Sequence, residues 1–268
     1  CLMQMYEIVL ESVQAGNAPG VFVGSEALVP DQGWPYDSVL AALTAAPGSD
    51  AAALAGQTIA AYVSEYPSYP LAMSAVQPDE AAILLDTLDS LAAALIASDY
   101  QGNVTSARAA AQPYGDGSYK DIIDFCDLVI AGIPDCVAAA EAVKNLVSSM
   151  VLAEEHTVGD GLDGSHGLSV YLPDTADDYD HDYDGLTPAT DTLWDDFLRG
   201  GMDYGDAPDP SYPTLLASDG ARHVLGGPCL GEAVDAETEA CASADACGED
   251  VDLSDDEDEG AFSTLLSI

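Results

Sequence analysis

Leu2, Met5, Ile8 and Val9 recur at the spacing of one helical face, so residues 2–12 are expected to form an amphipathic helix. GVFVGSE at 20–26 reads as a buried strand running into a loop. Residues 36–46 and 51–66 read as helices, the first stopped by Pro47-Gly48 and the second capped by Ser49 or Asp50. PLAMSAV at 70–76 is strand-like, 79–98 is a long helix with an acidic first turn, and 105–112 is a shorter one. Residues 118–131 and 135–150 carry apolar side chains at i, i+3, i+4 and predict two more helices. VLAEEHT at 151–157 and GLSVYLP at 167–173 are expected to pair as strands across the turn GDGLDGS, and 192–198 closes the series as a short helix. Strands separated by helices predict a layered α/β sheet. Four strands are few for so many helices, which places the rest of the sheet upstream of Cys1. After residue 200 the pattern gives way to short β-like pieces among Gly, Pro and Asp, so the chain divides into units at 1–200 and 201–268.

A hydrophobic fraction of 48% supplies a packed core, and the longest apolar run, LAAALIA at 91–97, is far below the roughly 18 residues a membrane span needs. Five Lys+Arg against 48 Asp+Glu give a net charge of −43, which excludes nucleic acid and anionic membrane surfaces as partners. A surface so charged repels itself unless salt or divalent cations screen it. Two readings stand side by side, a generally salt-adapted surface and specific calcium binding, and both suit an exported protein. The cysteines at 1, 126, 136, 229, 241 and 247 form no CxxC and no zinc spacing; Cys229, Cys241 and Cys247 lie close enough for a disulfide in an exported chain.

Cys1 directly precedes the first predicted helix, where unpaired N–H groups favour a thiolate. Either processing exposes it or the sequence is cut from something longer. Cys1-Leu2-Met3 with Glu7, then VGSEALVPDQGWPY at 23–36, SYKDIIDFCDLV at 118–129, GLSVYLP and YDGLTPATDTLWDDFL at 183–198 together resemble the clostripain family of cysteine peptidases, peptidase C11. The resemblance implies a caspase-like three-layer α/β/α sandwich, of which residues 1–200 would be the C-terminal portion, with Cys1 as nucleophile. In that family the histidine base and the oxyanion glycine lie in a His-Gly segment before the cysteine, so both are expected on an N-terminal half or light chain missing here. His166-Gly167 copies that wording after the cysteine and, like His156, reads as structural or surface histidine. The family's preference for Arg or Lys before the scissile bond calls for a pocket carboxylate. Asp31 is the first candidate and Glu26 the second, with Trp34 and Tyr36 as wall.

Asp180, Asp182, Asp184 and Asp191 spell most of a DxDxDG calcium loop, with Asp at the twelfth position and Pro188 inside it. The stretch reads either as a calcium loop, which the family's calcium dependence favours modestly, or as an acidic surface turn; calcium is the one cofactor suggested and no organic cofactor is expected. DYGDAPDPSYPTLLASDGARH from 203, followed by LGEAVDAETEA, ADACGEDVD and SDDEDEG, resembles the GEVED-type domain of secreted bacterial proteins, a small β-rich acidic unit. The resulting expectation is an extracellular or cell-surface prokaryotic endopeptidase acting on protein or peptide substrates. The alternative is a non-catalytic, calcium-binding adhesion protein on the same scaffold. An N-terminal-nucleophile hydrolase is set aside because a helix, not a strand, is expected after Cys1.

Overall fold

A computed structural model describes residues 3–204, 207–209, 211–212, 215 and 222–224. Cys1, the cysteines at 229, 241 and 247, and most of the GEVED-like stretch lie outside the described residues. The chain runs through α1 (Tyr6–Gln14), β1 (Phe22–Ser25), α2 (Tyr36–Ala45), α3 (Ala51–Glu65), β2 (Ala72–Val76), α4 (Ala81–Ile96) and α5 (Gln101–Ala110). It continues through β3 (Pro113–Tyr114), β4 (Tyr119–Asp121), α6 (Ile122–Gly132), α7 (Val137–Met150), β5 (Val151–His156), β6 (Ser169–Tyr171), α8 (Thr187–Asp191) and α9 (Trp194–Leu198). Past residue 200, β7 (Met202–Tyr204) pairs antiparallel with β8 (Arg222–Val224).

Two small antiparallel sheets, β1-β2-β5 and β3-β4-β6, stand where one layered sheet was expected. Strand β2 is buried along its whole length. Met73 and Ala75 pack with Leu71 under Ala55, Ile59 and Tyr62 of α3, while Val76 joins the larger core built from α1, α4, α6 and α7. Helix α3 therefore covers one face of this strand, while on the other Val76 meets the helical core and Ala72 packs under the 162–167 loop.

Residues 3–5 join the two sheets. The amides of Met3 and Gln4 both donate to Ser25 O, at 3.1 and 3.3 Å, while Ser169 N donates to Gln4 O at 3.1 Å. Met5 bridges Ser169 in parallel register. Gly24 permits the approach, since a Cβ there would sit 2.5 Å from Gln4 Oε1. The first helix accordingly starts at Tyr6 rather than at 2. The extended stretch also removes the reason given for setting aside an N-terminal-nucleophile arrangement.

The expected hairpin of 151–157 with 167–173 does not form: β5 pairs with β2 and β6 with β4. The GDGLDGS turn packs inward instead. Leu162 is buried with Ala27, Ala72 and Tyr114, and Gln112 holds the turn by donating to Gly161 O and accepting from Gly164 N. Gly167, at φ 108°, lets the chain turn hard against Val151 and Ser74, and Ser74 Oγ donates to its carbonyl. Residues 118–121 belong to a hairpin, and helix α6 starts only at Ile122, capped by Asp121.

Arg108 fastens the C-terminal helices to this core. Its guanidinium donates to Pro173 O and Leu198 O at 2.8 and 3.0 Å, reaches Phe197 O at 3.4 Å, and lies 5.1 Å over the Phe197 ring. Burial lowers its pKa to about 10, still charged at neutral pH. Arg108→Met should cost about 3 kcal/mol, because carbonyls at two separate segments lose their donor inside the core. Urea unfolding should show the midpoint falling with little change in slope, and Arg108→Lys should recover only part of the loss.

Candidate active site and substrate cleft

Around the mouth of the β1-β2-β5 sheet the chain gathers its chemistry-bearing side chains from four places. Glu26 follows β1, Asp121 ends β4, Glu154 and His156 sit on β5, and His166 precedes β6. Asp121 is fully buried and accepts three hydrogen bonds: from Asp124 N at 2.8 Å, from His166 N at 2.6 Å and from His166 Nδ1 at 3.0 Å. Nδ1 also faces Gly164 O at 2.8 Å, so the proton sits on Nδ1 and the ring is fixed by two acceptors. The His166 side chain keeps 38% of its surface. Its pKa is raised chiefly by the hydrogen bond to Asp121. An imidazole oriented by a buried carboxylate is the support a catalytic base uses. The sequence sets this histidine aside as catalytic base because it follows the cysteine in the chain, and it gives no sign that Asp121, in a stretch that reads as helix, points at it. The D-x-x-D spacing of Asp121 and Asp124 marks an N-cap and was the available signal.

His156 is held differently, with Nδ1 at 2.8 Å from Glu154 Oε1. His181 lies on the surface beside Asp184.

Glu26, the second candidate for a substrate carboxylate, is 0% exposed and so presents no surface to a substrate. Asp31 is exposed in the turn Pro30–Gly33, closed by Gly33 N donating to Pro30 O at 3.1 Å. Beyond the turn, a cleft of about 420 Å³ is lined by Trp34, Tyr36, Asp37, Glu65 and Tyr66. Aromatic contacts stiffen it: Trp34 meets Tyr62 at 5.3 Å, Tyr62 meets Tyr66 at 5.1 Å, and the Tyr66 hydroxyl donates to Gly33 O at 2.7 Å. Two carboxylates among aromatic faces suit an ammonium or guanidinium group. The sequence does not single out Asp37 and Glu65, which are 28 residues apart and come to line one cleft only when α2 packs on α3.

The four acids of the DxDxDG stretch do not converge. Asp180 accepts from Asp182 N in its own turn, Asp184 is ion-paired with Arg199 and accepts from the Tyr179 hydroxyl, and Asp191 accepts from Thr190. Among the described residues no three His, Cys, Asp or Glu side chains are grouped to hold a metal ion. Asp180, Asp184 and Asp191 are thus each engaged by a turn, by Arg199 or by a neighbouring hydroxyl rather than turned toward a shared centre, which is not the donor arrangement of a calcium loop.

The family model for clostripain, peptidase C11, matches residues 1–201. The chain belongs to the clostripain family. Solved clostripain-family and related structures share its mixed helical and sheet fold at low identity. A Bacteroides thetaiotaomicron clostripain, in complex with a peptide inhibitor, aligns with TM-score 0.50 at 13% identity, over 74% of this chain and 83% of that one. A B. fragilis cysteine protease aligns with TM-score 0.54 at 16% identity, over 72% and 86%. For a secreted C11 cysteine protease from B. thetaiotaomicron the values are 0.50 and 20%, over 74% of this chain and only 56% of that one, so this chain spans just over half its length. No curated protein matches the chain. Among the described residues, no helix of this clostripain-family chain is long and apolar enough to cross a membrane.

Asp121→Asn should retain the helix cap while weakening the hold on the imidazole, because an amide still accepts but carries no charge. His166 should then titrate at lower pH, which its ring resonances in an NMR titration will show. The sign for stability follows. His166 binds protons more tightly folded than unfolded, so its contribution is complete below about pH 6.5 and is lost as pH rises through the raised value. In Asp121→Asn that decline should flatten.

Proposed function

We propose that this chain carries the nucleophile of a secreted, clostripain-type cysteine endopeptidase that cleaves peptide bonds after Arg or Lys. The observation that carries the reading is the family match over residues 1–201, which includes the Cys1-Leu2-Met3 segment. In the proposed reaction the Cys1 thiolate attacks the scissile carbonyl carbon and the C–N bond breaks, with its nitrogen taking a proton from the base. The resulting thioester is then hydrolysed by water. The base is proposed to be a histidine on polypeptide upstream of Cys1, which would associate with this part.

Preference for a basic residue is supported by the cleft beside Trp34. A guanidinium entering it would find Asp37 and Glu65 among aromatic walls, in a field set by a net charge of −43. Calcium enters no step. Extracellular action is supported by the secreted C11 relative.

An arginine-bearing acyloxymethyl ketone should label the full-length protein, and Cys1→Ala should abolish labelling. If the probe labels elsewhere, or leaves an intact and folded protein unmodified, the peptidase reading fails. With Asp37→Asn combined with Glu65→Gln, KM for arginyl substrates should rise about tenfold while kcat changes little, as expected when one charge-assisted contact is lost.

A further inference from the structure

Glu26, Asp121 and Glu154 lie near one another beneath the 162–167 loop, and Glu26 is the least well supplied with donors. Neither of its oxygens receives a hydrogen bond, although both are buried. The groups that face it are the Asp121 carboxylate from β4, the Glu154 carboxylate from β5 and the Tyr114 hydroxyl from β3. None is a cation. His166 lies behind Asp121 and His156 behind Glu154, each already engaged with its own carboxylate.

The donors decide where a proton must sit. Asp121 accepts three N–H bonds, all of which would weaken if it were neutral. The Tyr114 hydroxyl lies 2.8 Å from Ser165 Oγ and also faces Glu26. Glu154 is satisfied by His156. Glu26 faces at most the Tyr114 hydroxyl, and an ionised carboxylate so poorly supplied with donors, in a dry site near two others, is the least favourable state of the cluster. A neutral acid reverses this, since its O–H becomes the donor that the carboxyl–carboxyl contact with Asp121 requires.

We propose that Glu26 is a protonated carboxylic acid in the folded protein at neutral pH and donates its hydrogen to Asp121, completing an acid–carboxylate–imidazole chain, Glu26–Asp121–His166. Glu26 is thus a positioning residue. It touches no substrate and acts through Asp121, tying the turn that leads to Trp34 to the loop that carries His166. The inference does not depend on peptidase activity. Burial, reinforced by Asp121 and Glu154, raises its pKa well above the ordinary value, in line with the donor count. Stability is therefore complete below about pH 4.5, the unfolded value, and falls as pH climbs toward the folded one.

The direct test is the carbon-13 shift of the Glu26 side-chain carboxyl in the unmutated, isotopically labelled protein. The proposal requires the shift of a protonated acid at pH 7, and the shift of an ionised carboxylate there would overturn it. Glu26→Gln gives the second reading. Its amide still donates to Asp121 and carries no charge, so the midpoint of His166 should be unchanged and the loss of stability above pH 4.5 should flatten. A His166 midpoint that falls by about a unit in Glu26→Gln would mean that a negative charge had been removed, and would equally overturn the proposal.

Discussion

Everything in this fold hangs on three residues of extended chain. Residues 3–5 pair with β1 on one side and β6 on the other, so a stretch too short to be a strand joins two sheets that would each be marginal alone. The contact continues into the first helix, where Glu7 reaches across so that its Oε1 accepts from Tyr171 N at 2.9 Å and the Tyr183 hydroxyl at 3.2 Å. Glu7 is 4% exposed, and burial lifts its pKa to about 7. The segment that follows the family nucleophile is thereby stitched to the GLSVYLP strand and the YDGL turn. Three of the stretches through which the sequence resembles its family are in direct contact.

The chain must build this interior with very few cations. Of its five Lys and Arg, Arg108 serves backbone carbonyls, while Lys120, Lys144 and Arg199 are ion-paired with Asp174, Asp127 and Asp184. Several of the acids turned inward are instead held by main-chain amides. Asp124 accepts from Gln112 N, Asp89 from Leu193 N and Glu11 from Thr187 N. A carboxylate on an amide closes a helix end or a loop without needing a partner charge. The strongly acidic composition thus has a structural use besides solvation.

Helix positions were largely legible because their apolar spacing is local: the helices at 36–45, 51–65 and 137–150 fall where periodicity puts them. Strand partners were not. VLAEEH and SVY read as a hairpin because a glycine-rich turn separates them, but Leu162 is worth more buried against Ala27 and Ala72 than exposed at a turn tip, and the turn collapses inward. The short hairpin at 113–121 was lost to the helix that follows it, since Tyr119 and Ile122 satisfy either pattern. The candidate site suffered from the same limit. Aspartates in a calcium-like word were conspicuous, whereas Asp121, Asp37 and Glu65 acquire meaning only from partners brought near by the fold.

The acids at 180–191 show why a motif's spelling is weak evidence in a chain of this charge. A calcium loop works when its carboxylates are left facing one another with no other donor, so that the ion relieves their repulsion. Here Arg199 lies 4.5 Å over the Tyr179 ring and takes Asp184 as its partner, and the turn amide at 182 satisfies Asp180. To recruit calcium, the loop would have to surrender an ion pair and a cap before gaining any coordination. With 48 acids in 268 residues, D-x-D spacings arise often. What separates a site from a coincidence is an unsatisfied carboxylate, and by that measure the cluster around Glu26 carries more chemical tension than the loop that looks like a metal site.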